Sequence, residues 1–148
     1  MQPYQVLLIE DEDIIAGFIE HTLAKEDVQV TLMSNAENAW EYLRHQSPQV
    51  DAILLDRGLP GMDGIEFLHR LKRDPELYRI PVIVETSAAD QDSIQQGIDA
   101  GAYYYLVKPL QRELLVPIVI EAANQYRDYC TLQNSLDETS QALGMLHE

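Results

Sequence analysis

The chain alternates short apolar runs with longer amphipathic segments. Five mainly apolar runs, at positions 6–9, 28–32, 52–55, 81–85 and 103–107, have the length and composition of buried strands. Between them apolar residues recur at helical spacing, most clearly at Ile14, Ile15, Phe18, Ile19 and Leu23. Strands that alternate with helices form a parallel sheet with helices on both faces. The pattern therefore predicts a doubly wound α/β domain.

Composition limits the size and class of this domain. The chain has 148 residues, 46% of them hydrophobic, which is enough for one core and an appendage. Its single cysteine, Cys130, cannot form an intramolecular disulfide, and this favours a reducing compartment. No apolar run is long enough to span a bilayer, and the first residues do not form a signal peptide. We therefore expect a soluble, cytoplasmic protein.

The net charge bears on the partners of the chain. At pH 7 the formal charge is −15, so nucleic-acid phosphates and anionic lipid headgroups repel this segment. We expect no direct binding to nucleic acid by these residues and no attachment to a membrane.

The stretch VDAILLDRGLPGMDG, residues 50–64, places a carboxylate directly after a buried strand. Asp56 ends the apolar run at 52–55, and ligands collect at the carboxyl ends of strands in open α/β sheets. Glycines and a proline then break regular structure until Asp63, a candidate N-cap for the next helix. We expect Asp56 to be presented to solvent rather than buried.

Polar side chains end the other strands of the predicted sheet as well: Glu10 and Asp11 after the first, Thr86 after the fourth and Lys108 after the fifth. Together with Asp56 they should meet at one edge. Three clustered carboxylates stay ionised together only beside a cation, and hard oxygen ligands suit Mg²⁺. Lysine and hydroxyl groups provide the charge and the donor that phosphoryl oxygens need. Taken singly, each residue has another interpretation: a turn former, an edge residue or a solvated lysine.

These motifs resemble a known family, the receiver domain of bacterial two-component response regulators. The resemblance rests on LLIEDED, LLDRGLPGMDG, PVIVETSA and GAYYYLVKP and covers about residues 4–124. It implies a flavodoxin-like strand order 2-1-3-4-5 and a receiver domain at residues 1–124. It also implies that Asp56 accepts a phosphoryl group from a histidine kinase or a phosphotransfer protein in a phosphorelay.

The resemblance further implies a Mg²⁺ site. Its ligands would be Asp11 directly, Glu10 through water, Asp56, and the backbone carbonyl of Gly58. Glu10 stands where the family more often has aspartate, and the longer side chain should alter the water-mediated contact without abolishing it.

Other positions match the switch of the family. Lys108 matches the lysine that binds the phosphoryl oxygens, Thr86 the switch hydroxyl and Tyr105 the switch aromatic, and the Lys108–Pro109 bond is the one that the family makes in cis. Phosphorylation would draw in Thr86, give Tyr105 room to move and change the surface of the fourth helix, fifth strand and fifth helix, which controls a partner or output domain. Such a domain is not an enzyme acting on other substrates: it transfers phosphate to itself and slowly dephosphorylates.

One residue departs from the family pattern at the site. Glu85 precedes Thr86 at a position that is commonly apolar. We expect its carboxylate to reach solvent or to pair with Arg57 or Lys108.

Three other functions are compared with this one. An aspartyl-phosphate hydrolase has its nucleophile after the first strand and a second aspartate two residues on, whereas Asp56 follows the third strand and Gly58 stands two residues on. A flavin carrier needs a phosphate-binding loop after the first strand, where EDEDIIAGF would repel phosphate. A receiver-like binding module that is never phosphorylated remains the main alternative, and a phosphoryl-donor assay with Mg²⁺ discriminates it.

The chain continues past the end of the resemblance, and residues 125–148 are predicted to extend the last helix. Two interleaved heptad positions run through it: Leu115, Ala122, Tyr129, Leu136 and Leu143, with Ile118, Gln125, Leu132, Thr139 and Leu146. This spacing predicts a parallel coiled-coil homodimer, and a helix folded back on its own domain is the alternative. Pro117 should kink the helix. The receiver either acts alone on a partner or precedes an output domain in a longer polypeptide.

Overall fold

The computed structural model describes residues 2–87 and 91–146. Five strands form one sheet with only parallel pairings, in the order β2-β1-β3-β4-β5, which confirms the predicted fold class. The strands are β1 Tyr4–Ile9, β2 Val28–Met33, β3 Ala52–Asp56, β4 Val82–Thr86 and β5 Tyr104–Val107. The helices are α1 Asp13–Ala24, α2 Ala36–Gln46, α3 Gly64–Arg73, α4 Gln91–Asp99 and α5 Arg112–Leu146.

The ends of β3 and β4 differ from the sequence-based prediction. Asp56 and Thr86 are the last residues of their strands rather than the residues that follow them. Backbone pairing continues to this point, because Asp56 is in register with Glu85 and Thr86 with Val107. The side chains of the site are therefore attached to the ordered sheet.

The core has two parts, one on each face of the sheet. Alternate strand residues point to opposite faces, so Leu7 and Ile9 pack with α2 and α3, while Val6 and Leu8 pack with α1 and α5. Both sets are almost completely buried. A strand buried on both faces needs a continuous apolar run, and this explains the sequence pattern.

Local contacts fix the loops around the site. Asn35 Oδ1 accepts the Asn38 N–H at 2.7 Å and caps α2. Asp63 is the N-cap residue of α3, without a hydrogen bond from its side chain. A Cβ atom on Gly64 would lie 2.7 Å from the Asp56 carbonyl oxygen. Glycine is needed there because α3 begins directly against the backbone of Asp56.

Helix α5 is one continuous helix that contains Pro117. Leu115 and Ala122, two positions of the predicted seam, have no exposed surface and belong to the domain core, so the seam cannot include them. A heptad repeat and the buried face of an amphipathic helix have nearly the same period, which explains the error. Arg127 fixes the helix to the sheet: it donates to the Asp51 carboxylate at 2.6 Å.

The last part of α5 leaves the domain. Residues 131–144 are all exposed, including Leu132, Leu136 and Leu143. They do not fold back on the sheet, as the alternative would require. The Leu146 side chain, the last seam position, lies outside the described side chains. Among the residues that the structure describes, no helix has the length and apolarity needed to cross a membrane.

Candidate functional site

The strand ends meet at one edge of the sheet, as their positions in the sequence predict. Lys108 Nζ lies 3.3 Å from Asp56 Oδ1 and 3.7 Å from Glu10 Oε1. The Lys108 N–H donates to the Thr86 carbonyl at 2.7 Å, which joins the ends of β4 and β5. Four strands therefore position one cluster of charged and polar groups.

Asp56 is buried, contrary to the expectation that it is presented to solvent. Only 4% of the residue is exposed. It lines a cleft of about 350 Å³ together with residues that end or follow four of the strands. The cleft is lined by Glu12, Asp56, Arg57, Gly58, Thr86, Ser87 and Lys108. The cleft gives a small ligand access to the carboxylate.

The acidic cluster has the composition of a divalent cation site. One oxygen from each of Glu10, Asp11 and Asp56 lies within 4.8 Å of the others. Glu10 Oε2 accepts the backbone N–H groups of Asp11 and Glu12 at 3.1 and 3.3 Å, whereas the buried Glu10 Oε1 has no hydrogen-bond donor among the described residues. Buried carboxylate oxygens without donors fit a hard cation such as Mg²⁺.

Glu85 adds a fourth carboxyl group, and of the alternatives expected for it the exposure to solvent is wrong. The residue is completely buried, and neither of its side-chain oxygens has a hydrogen-bond donor in the described part of the chain. Its carboxyl group lies against that of Glu10 and also interacts with Lys108. The Arg57 side chain instead binds residues of α4 and β5.

Burial and mutual repulsion change the proton affinities of this cluster. Burial raises the pKa of Glu10, and the neighbouring Glu85 and Asp56 raise it further. Burial is also the main reason that the pKa of Glu85 is raised. For Lys108, burial acts to lower the pKa, but attraction to Asp56, Glu10 and Glu85 outweighs it and raises the pKa. The ammonium group therefore stays charged beside Asp56.

The remaining predicted positions lie around this cluster. The Gly58 N–H donates to Asp56 Oδ1 at 3.0 Å. Thr86 is buried at the edge of the cleft, and Tyr105 is half-buried with its hydroxyl toward Arg57. The Lys108–Pro109 peptide is cis.

The burial of Glu85 and the contacts of the Arg57 side chain with α4 and β5 were not predicted from the sequence. The positions of Glu85 and Arg57 depend on strand register, since Glu85 pairs with Asp56 and its carbonyl accepts the Arg57 N–H at 2.9 Å. A signal for its burial was available: Glu85 ends the otherwise apolar run PVIVE, and an acid on a buried strand needs a partner.

An exposed apolar surface lies beside the cleft. Ile14 is 89% exposed and Phe18 41%, although their helical spacing predicts buried positions. With Ile15, Pro109 and Leu110 they line a groove of about 510 Å³ that includes Lys108. The apolar stripe of α1 is thus wider than the area that the sheet covers, and the excess lines a groove that shares Lys108 with the cleft.

Comparison with known proteins agrees with this arrangement. Residues 6–120 match the family model of the response regulator receiver domain. The transcriptional regulatory protein AfsQ1 of Streptomyces coelicolor is 37% identical over 110 residues, which are 74% of this chain and 47% of that protein. The chain thus spans about half the length of this curated relative.

Two solved structures share the fold. The phosphorylated cyanobacterial phytochrome response regulator RcpA is 31% identical with a TM-score of 0.70, over 79% of this chain and 89% of that one. The Mn²⁺-bound form of response regulator Rcp1 is 28% identical with a TM-score of 0.70, over 78% and 89%. On these grounds the chain belongs to the response regulator receiver domain family.

Proposed function

We propose that this chain is a Mg²⁺-dependent phosphoacceptor in which Asp56 takes a phosphoryl group from a histidine kinase or a phosphotransfer protein. The observation that carries the proposal is the position of Asp56 between a lysine ammonium at 3.3 Å and the oxygens of Glu10 and Asp11. A nucleophile, a cation and a metal-binding carboxylate set are the groups that phosphoryl transfer needs. The Mn²⁺-bound and phosphorylated relatives support this assignment.

The geometry also supports different roles for the two carboxylate oxygens of Asp56. Oδ1 accepts the Gly58 N–H and lies next to Lys108, so we assign Oδ2 as the attacking oxygen. Its bond to phosphorus forms as the bond from phosphorus to the donor breaks, and the donor atom keeps the electron pair. Lys108 then pairs with the phosphoryl oxygens. A Mg²⁺ ion held by Glu10, Asp11, Asp56 and the Gly58 carbonyl would neutralise charge on the same oxygens.

Phosphoryl incorporation tests the proposal. We expect the chain to gain one acid-labile phosphoryl group when treated with acetyl phosphate and Mg²⁺, and none when the metal is removed with EDTA. Asp56→Asn should abolish incorporation because the amide is not a nucleophile. Asp63→Asn is the matched control, since Asp63 is exposed in the same loop and should react as the parent does. Acid-labile phosphate on the Asp56→Asn variant would contradict the assignment.

The groove beside the cleft fits the protein donor. Ile14 and Phe18 present apolar surface next to Lys108, and apolar anchors near a reacting group are typical of protein contacts. We expect Ile14→Asp to lower the transfer rate from a phosphorylated histidine phosphotransfer domain by about tenfold or more. Transfer from acetyl phosphate should not change, because that donor needs no docking surface.

A second substitution on α1 controls for the added charge. Ala24→Asp adds the same charge at an exposed position at the far end of the helix and should transfer normally. Equal rates for the Ile14→Asp variant and the parent with the protein donor would exclude this groove as the docking surface.

The output of the domain is assigned to the surface of α4, β5 and α5. Thr86 and Tyr105 lie on adjacent strands at the edge of this surface, and Tyr104 is 49% exposed on it. We propose that phosphorylation moves Thr86 and Tyr105, that residues 125–148 link this change to a partner or output domain, and that the exposed part of α5 forms a parallel homodimer. The phosphorylated state ends by slow self-dephosphorylation.

A further inference from the structure

Arg57 directly follows the phosphoacceptor and connects it to α4 and β5. Its Nη1 atom donates to the Ser93 carbonyl at 2.6 Å and lies 3.1 Å from the Tyr105 hydroxyl, and Nη2 donates to the Gln96 side chain. Ser93 and Gln96 lie one turn apart on α4. A single guanidinium therefore binds the helix at two points and the proposed switch aromatic at a third.

Tyr105 is held at its ring as well as at its hydroxyl group. A Cβ atom on Gly97 would lie 2.6 Å from the Tyr105 ring, so only glycine allows this contact. Gly97 is also the buried residue of α4. The helix thus touches β5 through this ring, and any turn of Tyr105 away from α4 breaks its hydrogen bond with Arg57.

We propose that Arg57 is a positioning residue that holds α4 and Tyr105 in the arrangement seen here. Movement of the surface of α4, β5 and α5 then requires the release of Arg57. This inference rests on the proposed function, because it names the link between the phosphorylation site and that surface. Hydrogen bonds from a charged donor are stronger than those between neutral groups, so three of them bias an equilibrium between two arrangements.

The position of Arg57 also gives phosphorylation a means to release it. Arg57 lines the same cleft as Asp56 and Lys108. A phosphoryl group on Asp56 would bring a double negative charge and additional acceptors into that cleft. These oxygens compete with Ser93, Gln96 and Tyr105 for the guanidinium. Phosphorylation thereby weakens the contacts of α4 without touching the helix itself.

Hydrogen exchange in the chain without a phosphoryl donor tests this role. In Arg57→Met, the backbone amides of α4 should exchange about tenfold faster than in the parent, because the helix loses two of its contacts. Arg73→Met is the matched control: Arg73 is exposed on α3, and its loss changes the net charge equally. Exchange of α4 at the parent rate in the Arg57→Met variant would overturn the proposal.

Two milder variants keep the test valid if Arg57→Met does not fold. Gln96→Ala and Tyr105→Phe each remove one acceptor, and Gln96 is exposed. Each should accelerate α4 exchange by about twofold to fivefold, a partial form of the Arg57 effect. Parent-like exchange in both would equally contradict the positioning role.

Titration with the phosphoryl mimic beryllofluoride provides a readout that a merely structural role would not change. The beryllofluoride concentration at which half of the protein has responded should be several-fold lower for Arg57→Met than for the parent. The reason is that the competent arrangement is already more populated in the variant. An equal or higher concentration would argue against the proposal. If the parent itself does not respond to beryllofluoride, the proposed function fails, whereas the α4 exchange still decides the role of Arg57.

Discussion

Lys108→Ala is expected to separate metal binding from phosphoryl transfer. The Lys108 ammonium lies 3.3 Å from Asp56 Oδ1 and 3.7 Å from Glu10 Oε1, so it stabilises negative charge where the phosphoryl oxygens would lie. Loss of one such electrostatic contact typically lowers a rate by roughly 10²–10³-fold, and we expect that decrease in the rate of phosphorylation by acetyl phosphate. The response to beryllofluoride should also be lost.

The affinity for Mg²⁺ should not fall in the Lys108→Ala variant. Lys108 is a positive charge inside the carboxylate cluster, and it competes with a divalent cation for the same oxygens. We therefore expect Mg²⁺ to bind the Lys108→Ala variant at least as tightly as the parent, measured by calorimetry.

A lysine far from the cluster serves as the control for Lys108→Ala. Lys25→Ala removes the same charge at an exposed position after α1 and should leave both properties unchanged. A Lys108→Ala variant that is phosphorylated and responds to beryllofluoride as the parent does would show that the lysine has another role.

Leu132→Glu combined with Leu136→Glu is expected to convert a dimer into a folded monomer. Leu132 and Leu136 are 60% and 54% exposed on the part of α5 that leaves the domain. Two acids at adjacent seam positions would place like charges against each other in a parallel dimer. The melting temperature of the domain should change little, because the core does not contain these side chains.

A control variant with two acids on the outer face of the same helix tests the effect of added charge alone. Asn134→Glu with Gln141→Glu adds two acids at exposed positions that lie outside both heptad positions. Sedimentation equilibrium should give a dimer for the parent and this control, and a monomer for the leucine variant. A parent chain that is monomeric at high micromolar concentration would exclude the dimer.

The fold could be predicted from the sequence because the strands are buried on both faces. Such strands need continuous apolar runs, and the runs of β1 and β3 are accordingly clear. The site could be predicted for a related reason: parallel strands bring their carboxyl ends to one edge, so Glu10, Asp56 and Lys108 had to meet.

The features that could not be predicted depend on how deeply a side chain is buried and on how the strands pair. Asp56 is buried in a cleft that Arg57, Gly58, Thr86 and Lys108 also line, and the depth of a side chain in a cleft is not encoded in hydrophobic spacing. Glu85 is buried because strand pairing places it beside Asp56. Leu115 and Ile14 show the converse ambiguity: helical spacing marks an apolar stripe but does not tell whether the sheet, a partner or solvent covers it.

Chemical trapping of the phosphorylated residue tests the central claim most directly. Borohydride reduces an acyl phosphate on aspartate to the alcohol homoserine, which remains in the chain and can be located by peptide mass spectrometry. After treatment with acetyl phosphate and Mg²⁺, we expect homoserine at position 56 and at no other aspartate. Homoserine at another position, or none despite bound Mg²⁺ and excess donor, would contradict the assignment of Asp56 as the phosphoacceptor.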